Sequence, residues 1–410
     1  MENLRYKIVT FTFVVIFFGL FIATLLKPDA AVSYSERRNL AQFPKFSVKN
    51  VLSAKYMKDF DKYATDQFAG REIFRSIKSF FDRNILQKLD TNGLFMVGED
   101  VFKIEYPLRE DKVQQMVSKL NAVYDQYLQG MNVYYTIVPD KMYFLPNNGQ
   151  YLIMDYERIR SMMNEGLPNM TYIDLFDTLT LDDYYNTDGH WRQERLKPVI
   201  DRLSAGMGHT IDFAPERYES FSYDKFYGAY YGQAARMLTP DTLIWLENDI
   251  TRNAIVETAV RSGAKMWMLD NAQARAVQTG PQLMATIQQW LENITMDSMP
   301  ARSIVPDTTM PIYDIAALEG IDAYNLYLHG MQPLLFLTNP NSTSDRELIL
   351  FRDSYGSSLA PLLLEGYAKI TVVDLRYMHW TILGDFVTFD NQDVLMMYST
   401  TIINNSDMIQ

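Results

Sequence analysis

The chain has no cysteine, and its 410 residues include only four histidines. Without cysteine there is no disulfide, no thiolate nucleophile and no Cys-ligated zinc or iron–sulfur centre. The same absence assigns no compartment, because cytosolic and exported proteins alike can lack the residue. Positive charge is also short: 38 Lys and Arg stand against 50 Asp and Glu, a net charge of −12. Such a surface repels a phosphate backbone, so nucleic-acid binding is disfavoured. No repeat or low-complexity tract is present. With 48% hydrophobic and 21% charged residues, bulk disorder is excluded. At roughly 150 residues per domain, the length fits two or three domains, or one large domain with insertions.

One long apolar run is present, and it is N-terminal. Ile8 to Leu26 is 19 residues without a charge, preceded by Arg5 and Lys7 and ended by Lys27 and Pro28. About 20 apolar residues cross a bilayer core. A secretory signal has a shorter apolar region, about 7–15 residues. The run therefore reads as an uncleaved anchor, with cleavage near Ala31 as the alternative. A short basic tail stays inside, which puts the following domain outside the cytoplasm. That bias is thin, since Lys27, Arg37 and Arg38 follow the span. The expected layout is a tail and transmembrane helix over 1–27, a linker over 28–46, and one domain over 47–410 with an insertion around 215–320.

Periodicity places the remaining elements. Phe74, Ile77, Phe81 and Ile85 recur at three- and four-residue steps and predict a helix with one buried stripe. Val133–Val138, closed by Pro139, reads as a buried strand, and Thr171–Phe176 as a second. Leu196, Val199, Ile200 and Leu203 space as a helix that Pro198 must kink or restart. Leu348–Phe351, a turn, a helix over Leu359–Leu364 ended by Gly366, and a strand over Lys369–Asp374 form a βαβ unit, which favours a parallel sheet. The stretch 215–330 is harder to read, apart from a helix at Leu283–Leu291.

Two short motifs carry possible chemistry: Thr187-Asp188-Gly189-His190-Trp191 and Arg352-Asp353-Ser354-Tyr355-Gly356. The second lies where a strand turns into a helix. A serine there sits at the carboxyl end of a parallel strand, where α/β sheets bind ligands, and under helix N–H groups suited to an oxyanion. Serine needs a base. His190 alone among the four histidines has a carboxylate two residues away, in Asp188. His209 follows Gly208 in a helix-exit turn; His329 and His379 lack such a neighbour. Plainer readings compete: Ser354 as a helix N-cap, Asp188 as another, His190 as a packed side chain beside Trp191. An Asp-x-His pair also binds metals, but no further His or Glu cluster completes a site. No metal and no cofactor is expected.

These motifs resemble those of the DHHW proteins of Gram-positive bacteria, relatives of the SGNH-like alginate O-acetyltransferases. Ser35-Glu36-Arg37-Arg38-Asn39-Leu40-Ala41 with Pro44 is similar to the family's post-anchor segment. Phe60, Tyr63, Asp66, Gln67, Phe68 and Arg71 are similar to its Tyr-x-x-Asp-Gln-Phe-x-x-Arg element, and Pro139-Asp140-Lys141 to its Pro-x-Lys. Thr187 to Trp191 stands at Asp-His-His-Trp, and Arg352 to Tyr355 with Asp374-Leu375-Arg376-Tyr377 at its C-terminal signature. The resemblance implies an SGNH hydrolase-like three-layer α/β sandwich with a parallel sheet, an extracytoplasmic location and a Ser354–His190–Asp188 triad. Tyr355, Arg376, Tyr377 and Lys141 are candidate oxyanion or substrate-binding residues, and a membrane-bound O-acyltransferase is the implied partner. Gly189 departs from the family's first His. Leu328-His329-Gly330-Met331 stands where a Gly-Gly-Asn is expected, which puts the oxyanion hole in doubt. About 270–310 matches nothing and reads as inserted.

Two functions follow. One is a cell-envelope O-acetyltransferase or acetylesterase acting on a surface polysaccharide. The other is a catalytically inactive envelope protein that keeps the fold and binds a glycan or a membrane acyltransferase. Tyr227, Tyr230 and Tyr231 fit either sugar stacking or, more simply, core packing.

Overall fold

The computed structural model describes residues 2–33, 36–86, 88, 90, 92–145, 151–234, 238–258 and 310–410. The expected helix at Leu283–Leu291 and the unmatched stretch near 270–310 lie outside these residues. The apolar run is helical over Glu2–Leu26 (α1). Its Leu4–Leu26 portion is long and apolar enough to cross a membrane, and the rest of the chain does not cover it. Two further helices follow, Lys55–Asp66 (α2) and Arg71–Asn84 (α3).

The centre is a seven-stranded mixed sheet. In chain order its strands are Val133–Val138 (β1), Thr171–Tyr172 (β2), Ile255–Thr258 (β3), Leu334–Thr338 (β4), Glu347–Arg352 (β5), Lys369–Val373 (β6) and Asp393–Ser399 (β7). Their spatial order is β2-β1-β7-β5-β6-β4-β3. The five strands from β2 to β6 pair in parallel. The sheet is not wholly parallel as expected: β4 runs antiparallel to both β6 and β3, so β4 alone is reversed and the edge strand β3 regains the common direction. β2 is shorter than its sequence suggests. Ile173 N–H still reaches Tyr135 O, but the Asp174 carboxylate then accepts Phe176 N–H and turns the chain away.

Both faces of the sheet are buried, as the near-continuous apolar strands require. Leu348, Leu350, Leu395 and Met397 face a core shared with the helix Lys197–Met207; Ile349, Phe351, Val394 and Met396 face the opposite core, under the helices Glu110–Val123 and Tyr156–Gly166. We label these three helices α4 (Glu110–Val123), α5 (Tyr156–Gly166) and α6 (Lys197–Met207). Pro198 sits in the first turn of α6, where its missing N–H costs nothing, so it starts the helix and does not kink it. Gly208, left-handed at φ 62°, ends α6 before His209. The βαβ unit comprises β5, the helix Tyr355–Leu363 (α7) and β6, with Leu348 opposite Ile370 and Phe351 opposite Val373.

One reading is overturned. The stripe on α3 is not buried: Phe74 is 46% exposed, Ile77 55%, Phe81 51% and Ile85 57%. The reason is that α3 packs through its charged face. Arg71 and Arg75 pair with Glu36, at 2.7 and 3.1 Å, and Arg75 also donates to Gly232 O, while the buried residues described on α3 are Ser79 and Asp82. The helical period was real, but it marks the face turned away from the protein.

Candidate active site

β5 ends at Arg352 and α7 begins at Tyr355, so Asp353 and Ser354 form the turn above the sheet. The turn is held from below. Asp353 Oδ1 accepts Tyr355 N–H at 3.0 Å, and Oδ2 accepts Ser399 N–H, at the end of β7, at 2.7 Å. Ser354 occupies the position before the helix, yet its hydroxyl makes no capping bond. It points to a histidine: His190 Nε2 lies 2.7 Å from Ser354 Oγ. His190 Nδ1 lies 2.6 Å from Asp188 Oδ1. An ionised carboxylate only accepts, so the ring proton sits on Nδ1 and Nε2 accepts from the serine.

The His190 loop reaches Ser354 across 164 residues of sequence because it is stitched to α7. Trp191, fully buried, donates Nε1–H to Tyr355 O at 3.1 Å and Ser358 Oγ at 3.0 Å. Gln193 donates to Ser358 O at 2.7 Å, and Tyr355 Oη donates to Gly189 O at 2.6 Å. Asp241 holds the other side of the loop, accepting the N–H groups of Asn186 and Thr187.

Asp188 is buried, and burial alone raises a carboxylate. Here His190, Arg37 and the Ala229 N–H together outweigh burial and hold Asp188 below the usual carboxylate range. Arg37 Nη1 donates to Asp188 Oδ2 at 3.1 Å, and its other nitrogen pairs with Asp322. Arg37 holds a left-handed backbone at φ 52°, a conformation a non-glycine residue keeps only when its surroundings compensate. Asp322 Oδ1 in turn accepts Tyr324 N–H at 3.0 Å, and the Tyr324 ring stacks on His190 with centroids 4.1 Å apart. Arg37 and Tyr324 were not singled out as site residues from the sequence. Arg37 was visible only as part of the post-anchor motif; Tyr324 had no signal.

The four candidate oxyanion or substrate residues take other places. Lys141 is buried and spends its ammonium on Tyr185 O, Asn186 O and Asp100, at 2.8, 3.0 and 2.7 Å; it clamps the loop that leads to His190. The Tyr355 hydroxyl is engaged by Gly189. Arg376 is committed to Asp374, Nε to Oδ1 at 2.9 Å and Nη2 to Oδ2 at 2.7 Å, and Arg352 joins the same carboxylate at 3.3 Å. Tyr377 is 41% exposed, with its ring beside the Arg376 guanidinium. The Ser354 N–H bonds to no acceptor among the described residues. Gly189 explains itself sterically: a Cβ there would lie 2.4 Å from Tyr230 Oη. Leu328, His329 and Gly330 are all left-handed, and Gly330 O accepts from Arg352. Tyr227 and Tyr231 pack on each other, and Tyr230 packs against Leu94 and Val101. Among the described residues, no three His, Asp or Glu side chains converge as a metal cage.

Neither a protein-family model nor a curated protein sequence matches the chain. Solved structures do share its fold. A DHHW family protein from Eubacterium siraeum superposes with a TM-score of 0.56 at 17% identity, covering 78% of this chain and 94% of that one. PatB1 of Bacillus cereus with a sulfonyl adduct superposes at 0.51 and 13%, covering 76% and 95%. The O-acetyltransferase domain of Pseudomonas putida AlgJ is a looser match, at 0.33 and 11% over 72% and 84%. The fold is thus the mixed α/β fold found in a DHHW family protein, in keeping with the motif resemblance.

Proposed function

We propose that this chain is a serine-dependent acyl-ester enzyme of the cell envelope, an O-acetyltransferase or acetylesterase acting on a surface polysaccharide. The observation that carries this reading is the unbroken chain from Ser354 Oγ through the His190 ring to Asp188. In it, His190 takes the hydroxyl proton as Ser354 Oγ attacks an acyl carbonyl, and Asp188 holds the Nδ1–H tautomer and stabilises the imidazolium. The Ser354 N–H and the positive end of α7 face the oxyanion. Collapse of the tetrahedral intermediate leaves an acyl-Ser354, and His190 returns its proton to the departing oxygen. A sugar hydroxyl then receives the acyl group in a transferase, and water in an esterase. The polysaccharide and a membrane-bound acyl-donor partner come from the motif resemblance. So does the SGNH-like sandwich; α1 as anchor follows from the length of its apolar run, 28–46 as linker from its polar composition, and the domain from 47 onward outside the cytoplasm from the basic tail and the resemblance together.

The test is turnover of a chromogenic acetyl ester, with and without an oligosaccharide acceptor. Ser354→Ala and His190→Ala should each lower it by about 10³-fold or more, and the double variant by little more than either, because the residues act as one unit. Wild-type turnover in either single variant would refute the triad, and no turnover by folded wild-type protein would leave the inactive binding protein.

A further inference from the structure

Helix α3 is built inside out: its polar face packs inward, with Ser79 and Asp82 buried, and its apolar face is exposed. Helix α2 buries no residue and leaves its apolar side chains exposed as well. On α3 the outward stripe is Ile73, Phe74, Ile77, Phe81 and Ile85; on α2 it includes Met57 and Phe60. Linker aromatics extend it: Phe43 sits edge-on to Tyr63 at 5.2 Å and Phe46 edge-on to Tyr56 at 5.8 Å, and both phenylalanines remain more than half exposed. We propose that this face lies in the bilayer interface beside α1, so that the domain is held to the membrane by a spanning helix and by two helices lying flat on the lipid.

Two observations single out lipid as the occupant. The first is the tether. Thr24, in the last turn of α1, accepts Ala69 N–H at 3.1 Å through its hydroxyl, and Ala69 lies in the turn between α2 and α3. Gln67 in that turn accepts Ala30 N–H and donates to Ala30 O, both at 2.9 Å, and Tyr63 Oη donates to Asp29 at 3.1 Å. The apolar face therefore begins where α1 leaves the hydrocarbon. The second is charge. Between Lys45 and Lys88 there are ten Lys and Arg against five Asp and Glu, in a chain whose net charge is −12. Basic residues flanking an apolar stripe with aromatic ends are the composition of helices that lie on anionic lipid. A bilayer demands no shape complementarity from such a face.

This rests on α1 remaining in the membrane, and the experiment separates the two. The chain has no cysteine, so one introduced cysteine labels one site. The full chain is placed in nanodiscs of mixed phosphatidylglycerol and phosphatidylcholine, with an environment-sensitive fluorophore at Ile77→Cys, Met57→Cys, Lys62→Cys or Ile16→Cys. Nitroxide lipids with the quencher near the headgroup or near the chain end report depth. Labels at 57 and 77 should lose at least half of their emission, more to the shallow quencher than the deep one. The label at 16 should show the reverse order, and the label at 62, on the charged face, neither. Quenching at 16 without quenching at 57 and 77 overturns the proposal. So does a blue-shifted but unquenched label at 77, which marks a protein contact in place of lipid. No quenching at 16 defeats the anchor, and the proposal falls with it.

Discussion

Removing Arg37 tests whether the linker after the anchor supports the catalytic centre. Its guanidinium joins Asp188, which holds His190 by one ring nitrogen, to Asp322, which caps the turn carrying the tyrosine stacked on the same imidazole. In Arg37→Ala, Asp188 Oδ2 keeps only the Ala229 N–H, at 2.6 Å. Breaking a buried ion pair by deleting one partner costs about 3–5 kcal/mol. His190 and the Ala229 N–H remain on Asp188, which places the loss near the lower figure and the Tm several degrees down. The effect on chemistry is smaller than deleting the acid. His190 keeps its bond to Oδ1, so the loss falls short of the roughly 10⁴-fold seen when a triad Asp no longer sets the tautomer. We expect about 10–10²-fold, which is ~1.4–2.7 kcal/mol of barrier. The assay is the second-order rate of Ser354 labelling by a sulfonyl fluoride, on the detergent-solubilised full chain, with Tm alongside. Asp322→Ala should cost less in the Arg37→Ala background than in the wild type, because both act through one bridge. A labelling rate within twofold of wild type, at unchanged Tm, would show the bridge to be ornamental and refute the reasoning.

Two further outcomes follow. Gly189→Ala forces the Tyr230 hydroxyl aside from the 2.4 Å approach and should destabilise by about 1–3 kcal/mol, the range for overpacking; Tyr230→Phe in the same chain should recover most of it, by thermal melting. Asp140 is pushed up to about 6 from 3.8, chiefly by burial. A folded state that holds this proton more tightly than the unfolded state is most stable below the lower value, and loses that advantage as pH rises through the higher one. Between about pH 4 and 6 the stability of the wild type relative to Asp140→Asn should therefore fall by roughly 2–3 kcal/mol, at 1.36 kcal/mol per unit, measured by chemical unfolding; a difference independent of pH would contradict it.

The elements legible in the sequence were those whose signal is local. β1, β5 and β6 are apolar runs bounded by turn residues, and α6 announces itself by spacing and by the proline and glycine at its ends. Ser354, His190 and Asp188 could be paired because a serine needs a base and only one histidine carries a near carboxylate. What was not legible depends on distance or on medium. Arg37 meets Asp188 across 151 residues, and nothing near either predicts the other. Tyr324 acts by lying flat on an imidazole, a contact with no local pattern. Lys141 was a candidate oxyanion or substrate-binding residue, but two backbone carbonyls and Asp100 hold its ammonium, contacts the local sequence does not encode. The α3 stripe has the right period for a core helix, but periodicity reports a two-sided helix without saying which side the protein occupies. Strand β4 alone reverses, because strand direction is set by connections, which apolar patterning does not encode.

The central claim is that His190 activates Ser354. It is tested most directly by treating the full chain with a sulfonyl fluoride and mapping the adduct by mass spectrometry. One adduct is expected, on Ser354, forming in the wild type and lost or slowed by about 10³-fold in His190→Ala, whose base is gone. Correctly folded wild-type protein that carries no adduct on Ser354, or one that forms equally fast without His190, would contradict it.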